Sequence, residues 1–288
     1  MRIAVIGGGT MGIGIAHRFA AHGSDVAVVD VDGDAARASV ERVAATLRTA
    51  ADRGKLTNEA ADAAIDRVVA VDSIDDVERG ADAIIEAVVE DLHVKRGILV
   101  EAERRDPSVL ASNTSSISID RLAEPLERAD RFVGMHFFNP VWAIPLVEVV
   151  RGSSTSEDTL AAVASMVSTL DMEQAVINDA PGFATSRLGV LVGLEAIRMV
   201  EEGVGSPADI DTAMRLGYRH PMGPLMLGDL VGLDVRLNIA EHLHTVYGDR
   251  FRPPELLREM VAAGDLGRKS GRGFYDWTSG SPVPIEER

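Results

Sequence analysis

A chain of 288 residues, 46% hydrophobic and 26% charged, has the composition of a globular protein able to bury one large core or two modest ones. Its net charge of −16, from 29 basic and 45 acidic residues, repels nucleic acid and anionic membrane surfaces on average. It has no cysteine, which excludes disulfides, a thiolate nucleophile and cysteine metal ligands, and fits a reducing cytoplasm.

The N-terminal stretch MRIAVIGGGTMGIGIA has the apolar run of a leader, but its closely spaced glycines and the return to polar HRFAAHGSD argue against one. No window reaches the length of a membrane span, so the chain reads as soluble and intracellular. RIAVIGGG predicts a short buried strand entering a glycine turn, MGIGIAHRFAAHG a helix closed by Gly23, and DVAVVD a second strand ending in Asp30. Residues 33–67 predict two helices joined by a turn at RGKLT. Further strands are predicted at VVAV, ADAIIEAVV, SVLASNTS, RFVGMHFF and LVEVV. Strands alternating with helices make an α/β fold with a sheet parallel at least in its first half. After about Asn178 the pattern turns helical: PGFATSRLGVLVGLEAIRMVEEG is a long apolar helix, and SPADIDTAMRLG starts on Ser206 as N-cap with Pro207 in the first turn. The boundary falls near residues 178–183, giving an α/β domain over 1–180 and an all-α domain over 181–288.

Gly7, Gly9 and Gly12 spell G-x-G-x-x-G after a strand and into a helix, and Asp30 ends the next strand. That context is a Rossmann-type dinucleotide site. The glycines admit a pyrophosphate to the backbone, and the helix N-terminus at Thr10 and Met11 offers free N–H groups. Asp30 accepts from a ribose 2′-OH and repels a 2′-phosphate, which selects NAD over NADP; Arg37 lies too far along to reverse this. A −16 chain must still supply positive groups to any polyanion. Only Lys55, Lys95 and Lys269 among its basic residues are lysines, which makes them worth following, although arginine bias alone explains the scarcity equally well.

His136 and Glu148 sit in apolar strand segments joined by a loop holding Asn139, Pro140 and Pro145. A lone histidine there is ordinarily a satisfied core residue. If the segments run side by side, the carboxylate fixes one imidazole nitrogen and leaves the other to exchange a proton, as a secondary-alcohol dehydrogenase needs beside a nicotinamide. ASNTSSISI places hydroxyls at a strand end; Ser118 and Ser116 serve equally well as caps of the next helix. His220 reads as structural, and Glu241-His242-Leu243-His244 lacks trustworthy metal-ligand spacing, so no metal is expected.

GGGTMGIGIA, ASNTSSISI, GMHFFNP, PLVEVV, APGF, HPMGP and LGRKSGRGFYDW occur in order across nearly the whole chain. Together they resemble the 3-hydroxyacyl-CoA dehydrogenases of the 3-hydroxybutyryl-CoA type. The resemblance implies NAD-dependent, reversible oxidation of (S)-3-hydroxyacyl-CoA, and a helical domain that carries substrate contacts and homodimerises. It implies His136 as general acid/base, Glu148 as its orienting partner and Ser115 as hydrogen-bond donor to the reacting oxygen. Glu90, Lys95 and Asn139 would border the cofactor, Lys269 would reach it, and Lys55 would face the CoA phosphates. Three positions depart from the family pattern: Ser186 replaces an asparagine expected to hold the substrate carbonyl, Pro145 a lysine and Met226 a glutamate. These leave open a free 3-hydroxy acid substrate, as in gulonate 3-dehydrogenases, or a catalytically impaired homologue that binds NAD or acyl-CoA.

Overall fold

The computed structural model describes residues 1–285, so the last three residues of the expected 181–288 domain lie outside the described residues. The chain divides into two compact units, Met1–Phe183 and a second beginning at Ala184.

In the first unit the order is β1 (Arg2–Ile6), α1 (Thr10–Ala21), β2 (Asp25–Val29), α2 (Gly33–Asp52), α3 (Asn58–Ile65), β3 (Val68–Ala70), β4 (Ala83–Glu86), α4 (Leu92–Glu103), β5 (Val109–Ser112), α5 (Ile119–Ala123), β6 (Phe132–Phe137), β7 (Leu146–Arg151), α6 (Glu157–Thr169) and β8 (Glu173–Asn178). One eight-stranded sheet results, in the order β3-β2-β1-β4-β5-β6-β7-β8. The first six strands are parallel; β7 runs antiparallel to β6, and β8 follows β7. This is the doubly wound order of a dinucleotide-binding sheet.

Both faces of the sheet are covered, which is why its strands read as continuous apolar runs rather than alternating ones. Ile3 and Val5 face one core with Phe19 of α1, Leu47 of α2 and Val167 of α6, while Ala4 and Ile6 face another with Leu99 of α4 and Leu122 of α5. Side-chain caps set the helix starts: Asp32 accepts from Ala35 N–H, Thr57 from Ala60 N–H and Asp91 from His93 and Val94 N–H. The strand absent from the sequence reading is β8. Four of its six positions, Glu173, Gln174, Val176 and Asn178, are exposed, so no long apolar run announces it.

The second unit contains α7 (Thr185–Glu201), α8 (Pro207–Gly217), α9 (Pro224–Val231), α10 (Leu233–Tyr247), α11 (Glu255–Ala262) and two short strands, β9 (Tyr275–Asp276) and β10 (Val283–Pro284). Ser206 caps α8 by accepting from Asp209 N–H. Buried Asp229 pins the C-terminal segment, accepting from Phe274 N–H, Tyr275 N–H and Trp277 Nε1–H, each at 2.9 Å. That segment pairs as an antiparallel β9–β10 ladder, a small addition to the all-helical expectation.

Candidate active site

The glycine turn sits at the carboxyl end of β1. Gly7 adopts φ +106°, and a Cβ there would lie 2.7 Å from the Ala87 carbonyl oxygen. A Cβ on Gly12 would lie 1.8 Å from the Gly7 carbonyl oxygen, so the third glycine lets α1 pack onto the turn. The first N–H groups of α1, at Thr10, Met11 and Gly12, have no carbonyl four residues earlier in the helix to bond and remain available to an anion. Asp30 accepts from Gly8 N–H at 3.1 Å and from Val31 N–H at 2.8 Å. It lines a cavity of about 460 Å³ with Gly7, Gly9 and the apolar Ile74, Val88 and Ile98. These residues fit the adenosine and pyrophosphate of a dinucleotide: apolar walls for the base, a carboxylate for the ribose and a helix start for the phosphates.

A second cavity of about 370 Å³ shares Ala87 and Val88 with the first and is lined by Met11, Asn113, Ser115, His136 and Asn139 among others. His136 on β6 stands directly opposite Glu148 on β7 in the antiparallel register. Imidazole Nδ1 lies 2.8 Å from Glu148 Oε2. An ionised carboxylate only accepts, so Nδ1 carries the proton and Nε2 is left as acceptor. Glu148 has no exposed surface and His136 is 8% exposed, so the pair replaces the solvation that burial removes. Phe138 and Phe183 pack on the imidazole with ring centroids at 4.4 and 5.9 Å. Phe183 does so from a left-handed backbone, φ +48°, in a turn that begins at Pro181.

A polar network at the ends of β4 and β5 was not legible in the sequence. Glu86, fully buried, accepts from Lys95 Nζ at 2.7 Å, Ser112 Oγ at 2.6 Å and Val88 N–H at 2.7 Å. Lys95 is itself 1% exposed and also meets Glu90 at 3.3 Å, so its charge is already committed to two carboxylates. Burial opposes ionisation of Glu90. Hydrogen bonds from Thr114, Ser116 and Ser115 N–H, with the Lys95 charge, outweigh it and hold the carboxyl below its ordinary value. Glu90 thereby gathers the loop: it accepts from Ser115 N–H at 3.0 Å and from Ser116 Oγ at 3.0 Å, with Ser115 Oγ at 3.4 Å. Ser118 is the cap of α5, whereas Ser116 belongs to the Glu90 network. Asn113 accepts from Phe137 N–H at 2.9 Å, tying the end of β5 to β6.

Lys55 is exposed after α2 and lines a cleft of about 740 Å³ with Arg18, His22, Arg53 and Trp142. In the second unit, Ser186 occupies the first turn of α7, and Lys269 is ion-paired to Asp234 at 2.5 Å. Pro145 gives its carbonyl to Glu173 N–H, where β8 begins, and Met226 packs against the helical core. Among the described residues no cluster has the composition of a metal site, and no helix is long and apolar enough to cross a membrane.

The family described as 3-hydroxyacyl-CoA dehydrogenase, NAD binding domain, matches residues 2–180, and its C-terminal domain matches residues 182–277. The 3-hydroxybutyryl-CoA dehydrogenase of Bradyrhizobium diazoefficiens is 43% identical over 286 residues, covering 98% of this chain and 97% of that protein. A probable 3-hydroxybutyryl-CoA dehydrogenase of Bacillus subtilis is 43% identical over 96% of this chain and 97% of its own. The crystal structure of (S)-3-hydroxybutyryl-CoA dehydrogenase from Ralstonia eutropha superposes with a TM-score of 0.89 at 42% identity, covering 96% of this chain and 98% of that one.

Proposed function

The chain belongs to the 3-hydroxyacyl-CoA dehydrogenase family of NAD-dependent oxidoreductases, and from that premise we propose that it interconverts (S)-3-hydroxyacyl-CoA and 3-oxoacyl-CoA with His136 as general acid/base. The observation that carries this reading is the His136 Nδ1 to Glu148 Oε2 contact of 2.8 Å beside a cavity that shares Ala87 and Val88 with the cavity at the glycine turn. Bound NAD supplies the hydride acceptor. In the oxidative direction His136 Nε2 takes the proton of the C3 hydroxyl, and in the reductive direction it returns it. Glu148 holds Nδ1–H and stabilises the protonated ring. Ser115 donates to the reacting oxygen, a role supported by its place in the cavity with His136. Glu90 and Asn139 border the same cavity as cofactor neighbours, and Lys95 acts through Glu86 and Glu90.

The cleft beside Lys55 supports a CoA thioester over a free acid, since Arg18, Arg53 and Lys55 gather positive charge there within a −16 chain. Ser186 and Lys269 are assigned to substrate and cofactor on the family resemblance, and a homodimer through the helical unit and a cytoplasmic location complete the reading. The experiment is direct: protein mixed with acetoacetyl-CoA and NADH loses absorbance at the nicotinamide band. Absence of turnover on every short- and medium-chain 3-oxoacyl thioester overturns the substrate assignment.

A further inference from the structure

Positive charge near the helix start would favour the pyrophosphate of a dinucleotide further, and neither Lys95, buried between two carboxylates, nor Arg37, paired with Asp34 at 2.7 Å and Asp72 at 3.0 Å, is free to give it. Arg42 on α2 is differently placed. Its Nη2 donates to the Gly8 carbonyl at 2.7 Å and to Ser39 Oγ at 3.0 Å. Ser39 Oγ lies 3.1 Å from Asp30 Oδ2, the same oxygen that accepts from Gly8 N–H at 3.1 Å. The middle residue of the turn is thus held from both sides, N–H by Asp30 and C=O by Arg42, and Ser39 closes the ring. The fit leaves no spare room: a Cβ on Gly8 would lie 1.8 Å from Ser39 Oγ and 2.4 Å from Asp30 Oδ2. Among the described residues no carboxylate forms a direct ion pair with Arg42, and the Asp30 carboxylate is reached only through Ser39 Oγ.

We propose that Arg42 is a positioning residue for the cofactor: it clamps the glycine turn before NAD arrives and brings to it a positive charge with no direct ion-pair partner. Ser39 transmits the clamp to the ribose-binding carboxylate of Asp30. A turn fixed in advance loses less entropy on binding. A charge set on a part-exposed turn acts on a phosphate through a screened field, so its contribution falls with salt. The inference rests on the assignment of NAD to this turn.

The test is NADH binding to the full-length protein, followed by nicotinamide fluorescence at low and raised salt. Arg42→Met should weaken NADH about tenfold at low salt and flatten the salt dependence seen in the wild type, as one charge-assisted contact is removed. Arg42→Lys, which keeps the charge without the forked donor, should recover the salt dependence and part of the affinity. Ser39→Ala, with Arg42 intact, should weaken NADH a few-fold and leave the salt dependence unchanged. Steady-state kinetics should show the Arg42→Met loss in KM for NADH, with kcat at saturating cofactor within about threefold of wild type. Wild-type affinity and salt dependence in Arg42→Met overturn the proposal, as does a loss equal at every salt concentration and not recovered by lysine. Failure of the wild type itself to bind NADH would instead overturn the cofactor assignment beneath it.

Discussion

A buried carboxylate facing a buried imidazole is costly to assemble and costly to break. Removing one member takes the 2.8 Å hydrogen bond from the other in a site where Glu148 has no exposed surface. His136→Ala should lower kcat by about 10²–10⁴-fold, the usual contribution of a positioned acid/base, while NADH affinity stays near wild type. Glu148→Gln keeps an acceptor for Nδ1–H but loses the charge that stabilises the protonated ring, so kcat should fall by roughly 10²-fold with KM for NADH little changed. Steady-state kinetics on the purified variants decide it, and normal turnover in either removes the pair from the mechanism. This pair was legible because two polar side chains interrupted two apolar runs joined by a short loop. Glu86 interrupts an apolar run too, in AIIEA, but its partner Lys95 lies on a helix nine residues on, and nothing in the spacing says that the two meet inside the fold. Arg42 was less visible still. It is one arginine in an Ala- and Arg-rich helix, and its importance comes from the strand turn that the sheet brings to it.

At the scale of elements, periodicity resolved what burial makes periodic. The strands buried on both faces and the capped helices follow from their residues, whereas β8 does not. It is an edge strand added beside β7, and three of its four exposed positions, Glu173, Gln174 and Asn178, carry charge or amide. On α1 the sequence concealed a pH-sensitive packing site. His17 faces Thr46 of α2, with Nδ1 2.9 Å from Thr46 Oγ1, and its ring stands 5.3 Å from that of Trp142. Burial, then the charges of Arg18 and His22, pull its pKa from 6.5 down to about 4. The unfolded chain therefore takes up a proton near pH 6.5 that the folded chain refuses until about pH 4. Stability from neutral His17 is complete above pH 6.5 and is lost progressively as pH falls from there to about 4, by roughly 3 kcal/mol at the lower end. His17→Gln should flatten this part of the profile, so that the urea midpoint falls less between pH 7 and pH 4.5 than in the wild type. An unchanged fall would show that the imidazole titrates normally.

For the whole molecule, the decisive quantities are an uncovered apolar face and a large charge of one sign. On α7, Leu188, Leu191 and Val192 are 61%, 37% and 36% exposed, and on α9 Leu227, Leu230 and Val231 are 42%, 36% and 47% exposed. Three- and four-residue spacing puts each trio on one side of its helix, and α7 packs directly on α9. A stable dimer interface covers about 800 Å² on each partner, which exposed apolar trios on two neighbouring helices are suited to begin. Two copies of a −16 chain nevertheless repel one another. Salt shortens the reach of that repulsion, from about 10 Å at 0.1 M to about 3 Å at 1 M, and leaves the apolar contact in place. The proposed homodimer should therefore tighten as salt rises, in the opposite sense to NADH binding at the Arg42 turn. Sedimentation at micromolar concentration should find dimers that dissociate on dilution more readily in low salt, and Leu191→Glu, which sets a carboxylate into the α7 trio, should sediment as a monomer. A wild type that is monomeric at every salt concentration would remove the dimer, and a Leu191→Glu variant that stays dimeric would move the interface off this face. On this reading salt should pull the two events apart, weakening NADH binding at the turn that Arg42 clamps and strengthening the association of two anionic chains.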